Sequence, residues 1–277
     1  IDQHGSFEKY WEAKSSLIRK AKLGSYALLN IDDEYIRTLV DKTKAQIITY
    51  STNSHNGMIY PKDVELIRGR ARFTVVIQEA FTAFGKNIDK GEFEIVLGIP
   101  GLHSLENAMV AIAISLTDGV EIEAIQNALL KFKGVERRFE YIYENDYLII
   151  DDHFANLKNI QVSLETLSQV PYDKLHLIYA IRGNRGITVN KENAEALVQW
   201  KDKLGLTEVV GTKSIGNVTS KDMVSVEEEK IFSDIINKSG IKLTLFDRLE
   251  DAIEYSLNST KKDDIVLLAG CQGMDRG

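Results

Sequence analysis

The sequence predicts an α/β protein built from about two domains. Its 277 residues exceed the usual size of one domain, and its 44% of hydrophobic residues supplies enough apolar material for buried cores. In the second half, short apolar runs alternate with segments of helical period, which is typical of parallel βαβ units in an open sheet. In the first half, residues 58–97 alternate between apolar and polar side chains, as antiparallel hairpins do.

The elements of the first half are indicated by capping residues and apolar periodicity. Ser6 is a suitable N-cap for a helix that starts at residue 7. Asp32 and Asp33 are caps for a second helix, and Ser104 is a cap for a long helix with one apolar stripe. Gly134 ends the last helix, so the domain boundary is predicted just beyond it. The predicted strands are 25–30 and 46–50, and the later helices are 34–42, 104–116 and 122–132.

The second half predicts a regular order of strands and helices. The strands are expected at 147–151, 175–181, 208–210, 242–245 and 265–269, and the helices at 157–169, 191–204, 227–238 and 249–257. Open parallel sheets bind their ligands at the carboxyl ends of the strands. This rule selects three turns, which are 151–156, 182–186 and 270–276.

Lys14 interrupts the apolar arc of the first helix. At about 100° per residue it projects near the middle of that arc, between Trp11 and Ile18, while Ser15 falls on the opposite side. One interpretation is that its stem packs along the apolar surface and its ammonium group reaches water. The other is a desolvated amine that takes part in chemistry or binds a phosphate.

Composition excludes several classes of protein. The net charge of −7 argues against nonspecific nucleic-acid binding, and no apolar run approaches the roughly 18 residues of a membrane helix. Cys271 is the only cysteine, which excludes a disulfide framework and a cysteine-based zinc site. A cytoplasmic protein is therefore expected. The chain contains neither a Walker A sequence nor a G-x-S-x-G elbow, and both of its ends look cut, so we interpret it as a piece of a longer protein.

Two strand-end turns carry residues suited to ligands, each with a simpler alternative. One carboxylate of Asp151-Asp152 would accept ribose hydroxyls or hold a metal-bound water, or it would cap the following helix. In the turn Arg182-Gly183-Asn184-Arg185-Gly186, glycines permit close approach of an anion that the arginines would grip. The alternative there is an ordinary turn with solvated arginines.

Two further positions suggest a nucleotide. Asn107 lies in the first turn of the predicted helix 104–116, where its amide would read an adenine edge or merely satisfy the helix terminus. Arg137 and Arg138 lie at the predicted boundary, where they would reach a nucleotide or form a solvated linker.

The ordered set of motifs resembles the Mur ligase family of ATP-dependent amide-forming enzymes. It is most similar to the branch that adds the third residue to UDP-N-acetylmuramoyl-dipeptide. Each motif alone is weak, but their common order over nearly the whole chain is fairly specific. The motifs are Asp2-x-His4-Gly5-x-x-x-x-Tyr10-x-x-Ala13-Lys14, Asn30-x-Asp32-Asp33, Gly101-x-His103-x-x-x-Asn107-Ala108, Gly134-x-x-x-Arg138-x-Glu140, and the turns at Asp152, Gly183-Asn184-Arg185 and Gly270.

The resemblance implies an architecture and a set of site residues. Residues 1–135 would be the remainder of a P-loop-type central ATPase domain, and residues 136–277 a Rossmann-like C-terminal ligase domain. Lys14 would be a carbamylated lysine that binds magnesium, and Lys14, Asp152 and Arg185 would form the catalytic set. The resemblance further implies that Asn107 contacts adenine, that Arg138 lies near the nucleotide and that Asp152 contacts the ribose. Arg185 would bind the incoming amino acid. Other substrate contacts would come from His4, Arg182, Asn184, Gly270 and Asp275.

The implied reaction requires ATP and Mg²⁺ and joins an amino acid to the carboxylate of a UDP-linked muramoyl peptide through an acyl phosphate. A cytoplasmic monomer is expected, and the chain alone is expected to be inactive. The sequence departs from the family pattern in two ways, because it contains neither a P-loop nor a D-N-P-R motif. Residues 211–216 occupy roughly the place of the D-N-P-R motif. The added amino acid therefore stays open. Alternatives are a non-catalytic, nucleotide-binding regulatory relative and a dinucleotide binder, which lacks the G-x-G-x-x-G fingerprint.

Overall fold

A computed structural model describes residues 4–275 and shows an α/β protein. The chain forms two compact units, Ile1–Phe132 and Lys133–Gly277, and the division lies close to the boundary predicted just beyond Gly134. Asp2, the first residue of the predicted signature, is outside the described residues. Over residues 4–275, no helix combines the length and the apolar character that a membrane crossing requires.

The first unit contains one mixed sheet and a small hairpin. Its strands are β1 (Tyr26–Asn30), β2 (Gln46–Tyr50), β3 (Ile59–Ile67), β4 (Arg70–Ile77), β5 (Phe81–Ala83), β6 (Lys86–Ile88) and β7 (Gly91–Pro100). The sheet order is β1-β2-β3-β4-β7. β1, β2 and β3 run parallel, whereas β3, β4 and β7 pair antiparallel. The antiparallel pairing predicted within residues 58–97 is therefore confirmed.

The helices of the first unit are α1 (Phe7–Arg19), α2 (Glu34–Arg37), α3 (Leu102–Thr117) and α4 (Ile122–Lys131). Ser6 caps α1 and Asp33 caps α2, as predicted. The predicted extension of α2 to residue 42 is wrong, because tighter bonds such as Leu39 N–H to the Ile36 carbonyl replace the helical pattern there. The apolar stripe of α3 is buried against the sheet, which forms the core of this unit.

The predicted N-cap of α3 is also wrong. The helix begins after Gly101, whose φ of 92° lies in the left-handed region that glycine adopts without strain. Ser104 therefore lies inside the first turn, where its hydroxyl donates to the Pro100 carbonyl. The strand β7 thus leads directly into α3 through a glycine turn.

The second unit is one largely parallel sheet covered by helices. Its strands are β8 (Glu140–Glu144), β9 (Leu148–Asp152), β10 (Leu175–Ala180), β11 (Glu208–Thr212), β12 (Lys242–Phe246) and β13 (Ile265–Ala269). Its helices are α5 (Leu157–Leu167), α6 (Gly186–Leu204), α7 (Val226–Lys238) and α8 (Leu249–Leu257). The sheet order is β12-β11-β10-β13-β9-β8.

The parallel βαβ prediction is confirmed from β9 to β13. The edge strand β8 was not predicted and pairs antiparallel with β9. α6 begins at Gly186 rather than at the predicted residue 191. The carboxyl ends of β9, β13 and β10 are neighbours in the sheet, so the turns at 151–156, 182–186 and 270–275 are brought to one edge.

Candidate functional site

Lys14 lies on the exposed side of α1, which corrects the predicted orientation of this helix. The buried face consists of Trp11, Ser15 and Ile18, which follow one another at helical spacing. Ser15 is only 2% exposed, although the sequence placed it opposite the apolar arc, and Leu17 is 78% exposed. The apolar arc drawn from the sequence was too wide, because it included apolar residues that face solvent. Lys14 is accessible rather than desolvated in this unit.

Two predicted residues at the start of α1 meet at one aromatic ring. The Lys14 Nζ atom lies 5.7 Å from the centroid of the Tyr10 ring, a cation–π distance. The His4 ring packs edge-on against the same ring, with centroids 5.6 Å apart. His4 and Lys14 therefore border one surface, with Tyr10 between them.

The resemblance implies a magnesium ion at Lys14, and such an ion needs several oxygen ligands. Across the described part of the chain, no group of three His, Cys, Asp or Glu side chains is placed to hold a metal ion. Lys14 is exposed, so its amine is open to modification, but the described residues do not surround it with the oxygen ligands that magnesium requires. The residues from 4 to 275 alone do not fit a complete magnesium site.

Asp32 stabilises the loop that follows β2 instead of capping α2. Its carboxylate accepts hydrogen bonds from the Ser51 hydroxyl at 2.6 Å and from the Thr52 and Asn53 N–H groups at 2.6 and 3.1 Å. Burial by itself would raise the pKa of Asp32, but these donors hold that pKa below its ordinary value. The carboxylate is therefore an ionised, structural acceptor.

Asn107 lines an apolar cavity of about 280 Å³ in the first unit. The cavity lies between the end of β7, the first turns of α3 and the end of α4. Asn107 is exposed, and no hydrogen bond engages its amide within residues 4–275. The other lining residues include Leu97, Ile99, Ala108, Ala111, Leu129 and Phe132. One unpaired amide on apolar walls is suited to a flat ring with polar edges, such as a purine.

The floor of this cavity depends on Gly98. A Cβ atom at this position would lie 2.4 Å from the Leu130 carbonyl oxygen and 2.5 Å from the Phe132 carbonyl oxygen. The strand β7 therefore approaches the backbone at the end of α4 more closely than any side chain permits. This contact places the ends of β7 and α4 together beside Asn107.

In the second unit, predicted residues from three turns are joined by backbone contacts. The Gly270 N–H donates to the Asp152 carbonyl at 3.2 Å, which links the ends of β13 and β9. The Arg182 guanidinium donates to the Ala155 carbonyl at 2.8 Å, which links β10 to the same turn. Cys271 lies beneath them and is 1% exposed. Asp152, Arg182 and Gly270 thus share one edge of the sheet.

The two aspartates at the end of β9 have different surroundings. Asp152 is 4% exposed, and its carboxylate accepts the Phe139 N–H at 3.1 Å. Asp151 is half-buried and pairs with Arg137 at 3.2 Å. Burial raises the pKa of both carboxyls, opposed at Asp151 by Arg137 and at Asp152 by hydroxyl and N–H donors. The Asp152 carboxylate holds the preceding turn, and the alternative that it caps the following helix is wrong, because Asn156 caps α5.

Arg137 was selected from the sequence together with Arg138, but its contacts with the turn after β13 were not predicted. Its guanidinium donates to Asp151, to the Gly270 carbonyl at 2.8 Å and to the Cys271 carbonyl at 3.2 Å, and it also pairs with Asp275. Arg138, which was selected by the resemblance, is exposed. The two adjacent arginines were noticed in the sequence, but nothing there distinguished the internal one from the solvated one.

The turn 183–186 was predicted to bind an external anion, and the structure shows that an internal one occupies it. The N–H groups of Asn184, Arg185 and Gly186 donate to the Glu228 carboxylate at 3.1, 2.8 and 2.8 Å. Glu228 also accepts the Ser225 N–H at 2.9 Å and completes the capping box of α7. The backbone N–H groups of this turn are therefore occupied by a carboxylate of the chain itself, and the substrate contacts of Asn184 and Arg185 stay predictions.

The electrostatics of Glu228 follow from these contacts. Burial alone would raise its pKa, but the four backbone N–H donors hold it below the ordinary value. The pattern Ser225-x-x-Glu228 is a recognisable capping box. The packing of α7 beside α6 is what brings the Glu228 carboxylate to the N–H groups of the turn 183–186.

Three other polar side chains near this edge also have partners within the chain. The Arg185 guanidinium donates to Asp222 at 2.9 Å, and the Asn184 amide donates to the Lys221 carbonyl at 3.1 Å. In the segment 211–216, the Lys213 ammonium lies 2.6 Å from Asp247. These contacts hold the loops around β10 and β11 in fixed conformations.

Two family models match the chain in succession. The Mur ligase middle domain matches residues 1–115, and the model described as Mur ligase, glutamate ligase domain matches residues 137–272. The chain belongs to the Mur ligase family. The resemblance drawn from the ordered motifs is confirmed, as is the expected fold of a P-loop-type central domain followed by a Rossmann-like Mur ligase domain.

Relatives within the Mur ligase family include several of its branches. The chain is 27% identical over 286 residues to a UDP-N-acetylmuramate–L-alanine ligase of Neisseria meningitidis, covering 100% of this chain and 58% of the relative. It is 27% identical to a UDP-N-acetylmuramoyl-L-alanyl-D-glutamate–2,6-diaminopimelate ligase of Caldanaerobacter subterraneus, covering 98% of this chain and 51% of the relative. The chain therefore spans little more than half the length of these Mur ligases.

A solved Mur ligase has the same fold. The structure of MurF ligase from Thermotoga maritima in complex with ADP superposes with a TM-score of 0.64 at 21% identity, covering 98% of this chain and 56% of that one. Because both the L-alanine and the diaminopimelate branches match at the same identity, the branch predicted from the motifs stays a prediction.

Proposed function

We propose that the protein containing this chain is an ATP-dependent ligase that joins an amino acid to the carboxylate of a UDP-N-acetylmuramoyl peptide in peptidoglycan synthesis. The observation that carries the proposal is the succession of the two Mur ligase domains in one chain. The cavity beside Asn107 supports it, because an apolar slot with one unpaired amide suits adenine. The names of the relatives describe the same class of reaction.

The reaction consists of two transfers. The acceptor carboxylate attacks the γ-phosphorus of ATP, which gives an acyl phosphate and ADP, and the amine then displaces phosphate to form the amide. Asn107 would orient the nucleotide through its base. Arg138 is exposed, and within residues 4–275 its guanidinium has no hydrogen-bond or ion-pair partner, which suits its proposed contact with the nucleotide. Arg185 would grip the incoming amino acid, and Gly270 and Asp275, on the same edge of the second unit, would contact it as well.

Lys14 is proposed to be carbamylated in the whole enzyme. Its exposure on α1 supports access of carbon dioxide to the amine, and magnesium would be bound by the carbamate oxygens when present. Because residues 4–275 do not complete the ligand set, the assignment rests on the resemblance and on this accessibility. We further propose a cytoplasmic monomer.

The test is a ligase assay on the whole protein with ATP, Mg²⁺, a series of UDP-linked muramoyl acceptors and candidate amino acids. Amide formation by mass spectrometry, with one phosphate released per amide, is expected. Lys14→Ala is expected to lower kcat by at least about a hundredfold, whereas Lys9→Ala, an exposed lysine of the same helix, should keep the wild-type rate. Equal rates for both variants would contradict the assignment of Lys14.

A non-catalytic, nucleotide-binding relative is the second candidate. One observation favours it. Arg185, the residue predicted to bind the amino acid, pairs with Asp222, and the backbone N–H groups of its turn bind the Glu228 carboxylate. If this candidate is right, the protein binds ATP but releases no phosphate with any of the acceptors and amino acids in the assay. The ligase assay separates the two candidates, because only the enzyme forms an amide.

A further inference from the structure

Arg137 has a strained backbone and an extensively bonded side chain. Its φ of 57° lies in the left-handed region, where a residue with a long side chain is uncommon. Such conformations persist where surrounding contacts determine them, and they concentrate at functional positions. Here the Arg137 N–H donates to Glu140 at 2.9 Å, and the His153 N–H donates to the Arg137 carbonyl at 2.9 Å. The backbone is therefore held independently of the side chain.

The side chain then reaches across the ligand-facing edge of the sheet. It joins Asp151, at the end of β9, to the carbonyls of Gly270 and Cys271 and to the carboxylate of Asp275, which follow β13. The Arg137 side chain is 15% exposed. A planar fork with several donors can bridge two carboxylates and two carbonyls in this way, which a lysine cannot.

The first residues of the turn that Arg137 holds are also restrained in other ways. The Gly270 N–H donates to the Asp152 carbonyl, the Cys271 thiol donates to the Phe154 carbonyl at 3.1 Å, and Met274 is buried in a core cluster. Asp275 lies at the exposed end of the turn, and its N–H donates within the turn, to the Gln272 carbonyl at 3.2 Å. Among the described residues, the Arg137 guanidinium links the Asp275 carboxylate to Asp151 at the end of β9.

We propose that Arg137 is a positioning residue that fixes the 270–275 turn against the end of β9 and thereby sets the affinity for the incoming amino acid. The substrate part rests on the proposed ligase function, in which Gly270 and Asp275 contact the amino acid. The mechanical part concerns only contacts within the second unit. The two parts are tested separately.

The mechanical part is tested by hydrogen exchange on this chain with Arg137→Gly. Glycine adopts a positive φ without strain, so this variant removes the guanidinium while favouring the native backbone. Amides in the turn 270–275 are expected to exchange at least about tenfold faster, because the charge-assisted bonds are lost. Exchange in β10 should be unchanged. Arg72→Ala, which removes an exposed arginine–glutamate pair in the first unit, is the matched control and should not alter the turn.

A conservative variant guards against loss of folding. Arg137→Lys keeps one charge but not the fork, so its turn amides should exchange at a rate between those of the wild type and Arg137→Gly. Turn amides that exchange at the wild-type rate in both variants would overturn the proposal. So would equal acceleration throughout the second unit, which indicates a general loss of stability.

The substrate part is tested by steady-state kinetics on the whole protein. Arg137→Gly is expected to raise KM for the amino acid about tenfold, the effect of one lost charge-assisted contact, while KM for ATP stays within about twofold. Arg137→Lys should recover part of the amino-acid KM. An unchanged amino-acid KM would overturn this part. A wild-type protein that forms no amide would instead reject the ligase function, and hydrogen exchange alone would then decide the role of Arg137 in the turn.

Discussion

The cavity beside Asn107 and the turn 183–186 differ in how their polar groups are used. In the cavity, the Asn107 amide is exposed and unpaired within the described residues, and the walls are apolar. In the turn, backbone N–H groups already bind the Glu228 carboxylate, which is itself 3% exposed. Both stretches were selected from the sequence as ligand sites. Only the cavity keeps its hydrogen-bonding capacity for an external molecule.

The difference shows that a ligand-binding pattern and a structural pattern can use the same residue types. A glycine-rich turn after a strand offers N–H groups to any anion of suitable size. A neighbouring helix that begins with a capping-box glutamate supplies such an anion from within the chain. Substitutions at Glu228 and Asn107 distinguish a structural role of the turn from a ligand-binding role of the cavity.

The largest expected effect is that of Glu228→Ala. Removing this carboxylate leaves buried N–H groups without an acceptor and abolishes the capping box of α7, so the free energy of unfolding should fall by about 3 kcal/mol. Chemical denaturation of the chain measures it. Glu229→Ala removes a neighbouring glutamate whose pair with Lys213 is partly exposed and satisfies no backbone N–H group, and it should cost less than about 1 kcal/mol. Similar losses in the two variants would contradict a structural role for the turn.

The pH dependence of the same contact gives a smaller effect. The pKa of Glu228 is lowered in the folded state, so its contribution to stability is present above the unfolded-state pKa of about 4.3 and is lost as the pH falls through the folded pKa. At pH 7 the free energy of unfolding of the wild type should exceed that of Glu228→Gln by about 1–2 kcal/mol. The difference should shrink below about pH 4. Denaturation series at several pH values check this, and a difference independent of pH would show that the charge is not involved.

The smallest effect on stability is expected at Asn107. Asn107→Ala should change the free energy of unfolding by less than about 0.5 kcal/mol, because the amide is exposed and unpaired in the described structure. Binding of ADP by the whole protein should weaken about tenfold through loss of the base contact. Calorimetry measures the affinity. If Asn107→Ala bound ADP as tightly as the wild type, the proposed role of the Asn107 cavity in nucleotide binding would be contradicted.

Much of the fold was predictable because it depends on local patterns. The strands from β9 to β13 are short apolar runs separated by helical segments, and each was placed within a few residues. The edge strand β8, Glu140–Glu144, was missed because it is short and none of its residues is fully buried, although its Tyr-Ile-Tyr centre favours a strand. Lys14 was misplaced because the sequence does not show which of several apolar side chains of α1 reach the core.

The sequence by itself determined the order of elements, the family motifs and the chemistry available at each turn, because these follow from residue types and their spacing. Only the tertiary structure decided which of these groups are already paired. Glu228 lies more than forty residues beyond the turn it fills, and Asp275 lies at the far end of the chain from Arg137. Such pairings depend on which helices and strand ends become neighbours in the sheet. Local propensity carries no information about those neighbours.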